Sequence, residues 1–139
     1  MSDPEVLKVL RRWLRYAEDD LRTAETLLEQ SDIVPRISCF HAQQAAEKAL
    51  KAVLYGAGER VVIGHSLAEL GERVEQRDPA YRALRGEVAK LDRYYVPTRY
   101  PNGLPAGGDP GEAFDAEDAA AAIATAERAL EYVRRLLDA

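Results

Sequence analysis

Leucine and alanine return every three or four residues through most of this chain, a spacing that stacks them on one face of a helix and scatters them over both faces of a strand. The first run carries Leu7, Leu10, Trp13, Leu14, Ala17, Leu21, Ala24, Leu27 and Leu28, with Arg11, Arg12, Arg15, Glu18, Asp19, Arg22 and Glu25 between them. Asp3 is placed to cap the first turn, and Pro4 follows at the one helical position where a missing N–H does no harm. The spacing predicts a long amphipathic helix ending near Gln30.

Ser31, Asp32 and Pro35 interrupt the pattern, after which Ile37, Phe40, Ala45, Ala46, Ala49, Leu50, Val53 and Leu54 predict a second helix over about 34–56, stopped by Gly56 and Gly58. Ser66 with Glu69 three residues later reads as a capping box for a short third helix ending near Arg77. Asp78 and Pro79 repeat the cap-plus-proline signal and predict a fourth helix to about Tyr95, carrying Leu84, Val88 and Leu91. Residues 96–112 then mix Pro97, Pro101, Pro105 and Pro110 with four glycines, which forbids regular structure and predicts a long loop. Asp115 and Asp118 open a last helix that runs to the end of the chain, with Arg134 and Arg135 matching the dipole at its C-terminal end. No β-alternation of any length and no internal repeat appears. The expectation is an all-α, antiparallel bundle of about five helices, one domain over 1–139, whose alanine-rich faces suit packing across a two-fold axis as a homodimer.

One cysteine, Cys39, lies in an apolar stretch and has no second thiol to pair with, which fits a reducing compartment. The N-terminus lacks a basic region followed by an apolar run, and no stretch reaches the roughly 18 uncharged apolar residues of a membrane span. The expected location is the cytoplasm, away from membranes. A net charge of −5 argues against a general polyanion binder, and no sequence-specific reading of DNA is expected. The charge is uneven, however: 82–103 is the net-basic part and holds three of the seven tyrosines.

Two constellations stand out. Arg93, Tyr94, Tyr95, Val96, Pro97, Thr98, Arg99, Tyr100 and Pro101 combine planar cationic forks, stacking rings and a stiffened backbone, the equipment of a nucleotide or RNA-phosphate site. The plainer alternative is that the rings pin the loop to the bundle and the arginines pair with Asp92 and Glu112. On the second helix, Gln44, Glu47, Lys48 and Lys51 lie within two turns, close enough for an ion-pair and amide network that either supports a site or joins two helices. His65, just before the Ser66 cap, is either an acid–base group or a packing residue, and His41 shares that ambiguity. The chain lacks the Glu-x-x-His pair of di-iron bundles, clustered Cys and His ligands, a phosphate-binding glycine loop and a nucleophile elbow. No metal and no cofactor are expected.

Residues Trp13 through Leu21, Cys39 through Ala52, Gly64 through Leu67, and Arg99, Tyr100 and Pro101 together resemble a prokaryotic HEPN domain over nearly the whole chain, the second-helix segment most specifically. The resemblance implies a helical bundle that commonly dimerises, a nucleotide-binding role in keeping with the family name, and a minimal nucleotidyltransferase partner in a toxin–antitoxin-like pair. Many such domains are metal-independent ribonucleases that place an Arg, four to six residues and then a His late in the bundle. Here no histidine follows Arg93 or Arg99, and the stretches with that spacing, Arg36 to His41 and Arg60 to His65, lie earlier in the chain. The resemblance also implies Tyr94, Tyr95 or Tyr100 as a nucleotidylation acceptor.

Three readings follow. The first is a HEPN-type nucleotide- or RNA-binding module using Arg93, Tyr94, Tyr95, Arg99 and Tyr100, supported by Gln44, Glu47 and Lys48. The second is a metal-independent endoribonuclease toxin with Arg60 and His65 as catalytic candidates. The third is a structural interaction bundle without a ligand.

Overall fold

The structure, a computed structural model, describes residues 3–30, 34–95 and 114–138. Among them are five α-helices: α1 (Pro4–Leu28), α2 (Pro35–Gly56), α3 (Leu67–Arg77), α4 (Arg82–Ala89) and α5 (Ala116–Asp138). The expected loop over 96–112, with Arg99 and Tyr100, lies outside the described residues.

Asp3 caps α1 as expected, its Oδ1 accepting the Glu5 N–H at 2.9 Å, with Pro4 at the first helical position. Leu10, Leu14, Ala17, Leu21 and Ala24 are buried, a spacing of four and three that makes one narrow seam. α2 fits a different environment. Ala42, Ala45, Ala46, Ala49, Ala52 and Val53 are all fully buried, because α2 is covered by α1, α3 and α5 and its methyl groups let those neighbours approach closely. The α1–α2 pair is antiparallel: Leu10 meets Gly56 at one end, while Asp20 meets His41 and Lys48 nearer the other. A Cβ at Gly56 would fall 2.9 Å from Leu10 Cδ1, so the crossing is built around the missing side chain.

The fourth helical stretch covers 79–94, close to the expected span, but its winding is not uniform. It is a short α-helix flanked by tight 3₁₀ turns at Pro79–Tyr81 and Lys90–Tyr94. Asp78 spends its carboxylate on the Ala80 N–H and on the Tyr132 hydroxyl, which donates at 2.6 Å from α5. The tighter winding follows from that tie, since the chain must turn at once to bury Tyr81 against α3 and α5. α5 opens on a reciprocal cap in which Asp115 and Asp118 each donate an N–H to the other's carboxylate, at 3.0 and 2.8 Å.

The described residues share one core, in which Leu50, Leu54, Leu67, Leu70 and Leu130 are 0 to 1% exposed and Cys39 is fully buried. Each such leucine removed from water contributes about 1.5–3 kcal/mol, so the core rather than helix propensity holds the bundle. Among the described residues no helix is long and apolar enough to cross a membrane.

Candidate functional site

Ser66 caps α3, its hydroxyl oxygen accepting the Glu69 N–H at 3.2 Å, as the sequence indicated. The carboxylate at this helix end comes from Asp92, on the 3₁₀ turn after α4. It accepts from Leu67 N at 2.6 Å, Ala68 N at 3.0 Å and the Ser66 hydroxyl at 3.1 Å. A helix N-terminus attracts anions, and here that attraction is already answered from within the chain. The bonds also fix the 3₁₀ turn against α3 and so set the position of Tyr95, whose ring stacks on His65 with centroids 4.9 Å apart and planes 16° from parallel.

His65 is thereby held on two sides. Its Nδ1 lies 3.1 and 3.2 Å from the two carboxylate oxygens of Glu47 on α2, and Gln43 donates to its carbonyl at 3.3 Å. Glu47 is 5% exposed at its side chain and also accepts from Lys51 Nζ at 3.1 Å, one turn further along α2. A carboxylate paired with a buried ammonium is ionised and acts as acceptor, so Nδ1 of the imidazole is the donor. Nε2 then makes no hydrogen bond among the described residues, on a side chain 54% exposed. His65, Ser66, Asp92 and Tyr95 line an open cavity of about 300 Å³. A buried carboxylate fixing one nitrogen of an exposed imidazole beside a stacking ring can bind a base or nucleotide edge, and can also move a proton.

The structure divides the residues grouped by sequence. Glu47 joins His65 and Lys51, while Lys48 turns to the other flank of α2 and pairs with Asp20 of α1, which also lies 3.2 Å from His41 Nδ1. Gln44 donates to Gln43 at 2.7 Å and so backs the His65 side. Burial raises the Asp20 carboxyl, but the hydrogen bonds from His41 and Lys48 and their charges outweigh it and hold the group below its ordinary value. Gln44, Glu47 and Lys48 therefore belong to two networks rather than one.

The basic aromatic run divides as well. Arg93 reaches Asp118 on α5 at 3.5 Å and lies 4.8 Å over the Tyr94 ring, which is 5% exposed and packs edge-on against Phe114. Tyr95 alone of the three turns to His65. Arg60 is exposed and makes no ion pair among the described residues, five positions before His65 on the α2–α3 connection. Sequence reasoning singled out both Glu47 and His65 but did not join them, and it missed Asp92 as the group that seats Tyr95.

A family model described as HEPN domain matches residues 10–136. The chain is 30% identical over 140 residues to a protein named "Putative toxin MJ1304" from Methanocaldococcus jannaschii, a match covering 94% of this chain and 90% of that one. Among solved structures it is similar to TT1696 from Thermus thermophilus, with a TM-score of 0.80 and 35% identity over 91% of this chain and 96% of the other. It is also similar to ST0689, described as an archaeal HEPN homologue, with a TM-score of 0.73 and 31% identity over 92% and 97% of the two chains.

Proposed function

This chain belongs to the HEPN domain family, and from that premise we propose that it is the nucleotide- or RNA-binding component of a toxin–antitoxin-like pair, acting as a homodimer with a nucleotidyltransferase partner. The observation that carries the reading is the His65 arrangement: an imidazole oriented by buried Glu47, stacked on Tyr95 and open to a cavity of about 300 Å³. Stacking on aromatic faces and hydrogen bonds to base edges are how proteins take unpaired nucleotides. Arg99 and Tyr100 follow Tyr95 closely in the sequence and are the cation and second ring that the reading calls for. The name of the Methanocaldococcus relative supports the toxin side of the pair.

A second reading, a metal-independent endoribonuclease, is favoured by the Glu47–His65 pair. A carboxylate that fixes the imidazole tautomer leaves Nε2 able to accept a proton from a 2′-hydroxyl or to return one to the leaving oxygen. One experiment separates the two. Mixed-sequence RNA is incubated with wild type, His65→Ala and Arg99→Ala in EDTA, with binding and cleavage followed together. Salt-dependent binding of intact RNA, weakened by both substitutions, supports the module. Cleavage that His65→Ala abolishes transfers the assignment to the ribonuclease, and neither binding nor cleavage by any variant removes both.

A further inference from the structure

The ten-residue connection from α2 to α3 presents the most exposed large apolar side chains among the described residues, Val61 at 68% and Ile63 at 79%, with Val62 between them at 6%. Exposed, buried, exposed is the two-residue period of an extended chain. The segment is held at both ends and in its middle. Gly58 and Gly64 turn the chain with φ of +96° and +101°, a region that side chains other than glycine rarely adopt. Glu59 is gripped by Arg73 and by Arg77 at 3.6 Å, and Gln43 holds the His65 carbonyl. At the centre, Val62 donates its N–H to the Tyr55 hydroxyl at 3.1 Å, and Tyr55 stacks on Trp13.

That last bond fixes which way the backbone faces. In an extended chain alternate residues direct their N–H and C=O groups to opposite edges. With the Val62 N–H turned inward to Tyr55, those of Val61 and Ile63 face outward, and neither residue makes a backbone hydrogen bond among the described residues. An open edge bearing two β-branched side chains is a template for another strand. Charge narrows the occupant further. Glu59 with Arg73 and Arg77 carries a net charge of +1, and Arg60 beside them is exposed without an ion pair among the described residues, so the edge favours an acidic occupant.

We propose that residues 60–63 form a docking edge for an extended segment of a partner protein, one with alternating β-branched residues and a carboxylate placed to meet Arg60. A second copy of this edge fits less well. An antiparallel pair centred on Val62 sets Arg60 opposite Gly64 and leaves the cation unanswered. A contact of four residues a side also falls well below the roughly 1,200 Å² of a stable protein interface. A peptide-like segment asks only for the edge itself.

The test titrates a capped hexapeptide, Thr-Val-Asp-Val-Thr-Val, into the full chain and follows backbone amides by NMR. The Val61 and Ile63 amides should shift and gain exchange protection while the Val62 amide does not. The doubly substituted Val61→Lys, Ile63→Lys chain should bind at least about tenfold more weakly, as should a peptide with Lys in place of Asp, and circular dichroism checks that the variant keeps its helices. Arg60→Ala should weaken the wild-type peptide and leave the Lys peptide unaffected. Unchanged Val61 and Ile63 amides at millimolar peptide would overturn the proposal, as would shifts confined to His65 and Tyr95. Self-association of wild type that Val61→Lys abolishes would assign the edge to a second copy and overturn it equally.

Discussion

Replacing Glu47 with Gln keeps the shape of the side chain and removes its charge, and the structure fixes what that costs. Glu47 and Lys51 are 5% and 11% exposed at their side chains, so the variant leaves an ammonium buried beside a neutral amide. Breaking a buried pair from one side costs about 3–5 kcal/mol, and the partial exposure of Lys51 puts this one near about 3. The bond to His65 adds little, because an imidazole 54% exposed recovers water when released. At roughly 3–4 °C per kcal/mol for a chain of this size, the melting point of Glu47→Gln should fall by about 10 °C. Adding Lys51→Met removes the stranded charge and should restore stability to within about 1 kcal/mol of wild type, while His65→Ala alone should cost less than about 1 kcal/mol. Urea unfolding followed by circular dichroism measures all four chains, with the denaturant slope required to stay constant. The reasoning fails if Glu47→Gln loses under about 1 kcal/mol, or if the double variant stays as unstable as the single one.

Two tyrosines that touch each other should respond with opposite signs. Tyr132→Phe loses the 2.6 Å bond to Asp78 and should destabilise by about 1–2 kcal/mol, whereas Tyr81→Phe removes a buried hydroxyl without a hydrogen-bond partner among the described residues and should stabilise by up to about 1 kcal/mol in the same urea assay. Gly56→Ala gains about 1 kcal/mol of helix propensity but drives a methyl to 2.9 Å from the Leu10 side chain, so thermal melts should show a net loss of about 1 kcal/mol. For Asp20 the folded carboxyl titrates below its unfolded value, so it stabilises the fold above the unfolded pKa and loses that contribution as pH falls through the folded one. Asp20→Asn should therefore lie below wild type at about pH 6 and approach it at about pH 3, as read from urea midpoints at the two pH values.

The helices were legible wherever the signal was local. Asp3 with Pro4, and Ser66 ahead of Leu67, act within a few residues of themselves and sit where the sequence placed them. The fourth helix was legible in its span but not in its winding, because one tight turn depends on Asp78 meeting Tyr132 of α5 and the other on Asp92 meeting the start of α3. The site was legible residue by residue but not as a geometry. Arg93, Tyr94 and Tyr95 are neighbours in sequence, yet consecutive residues of a helical turn point about 100° or more apart, and their main contacts diverge. They go instead to Asp118, to Phe114 and to His65. Joining Glu47 to His65, or Lys48 to Asp20, requires the register between helices, which a face of repeated alanines leaves nearly featureless.

The single cysteine gives the bundle a clock. Cys39 is fully buried on α2, and burial, with Asp118 adding to it, pushes its thiol up to about 12. The folded chain thus offers a thiol reagent neither a path nor a thiolate. Any labelling must pass through molecules whose central helix has momentarily parted from its neighbours, so the labelling rate, read against a free thiol, counts those excursions without a second probe being introduced.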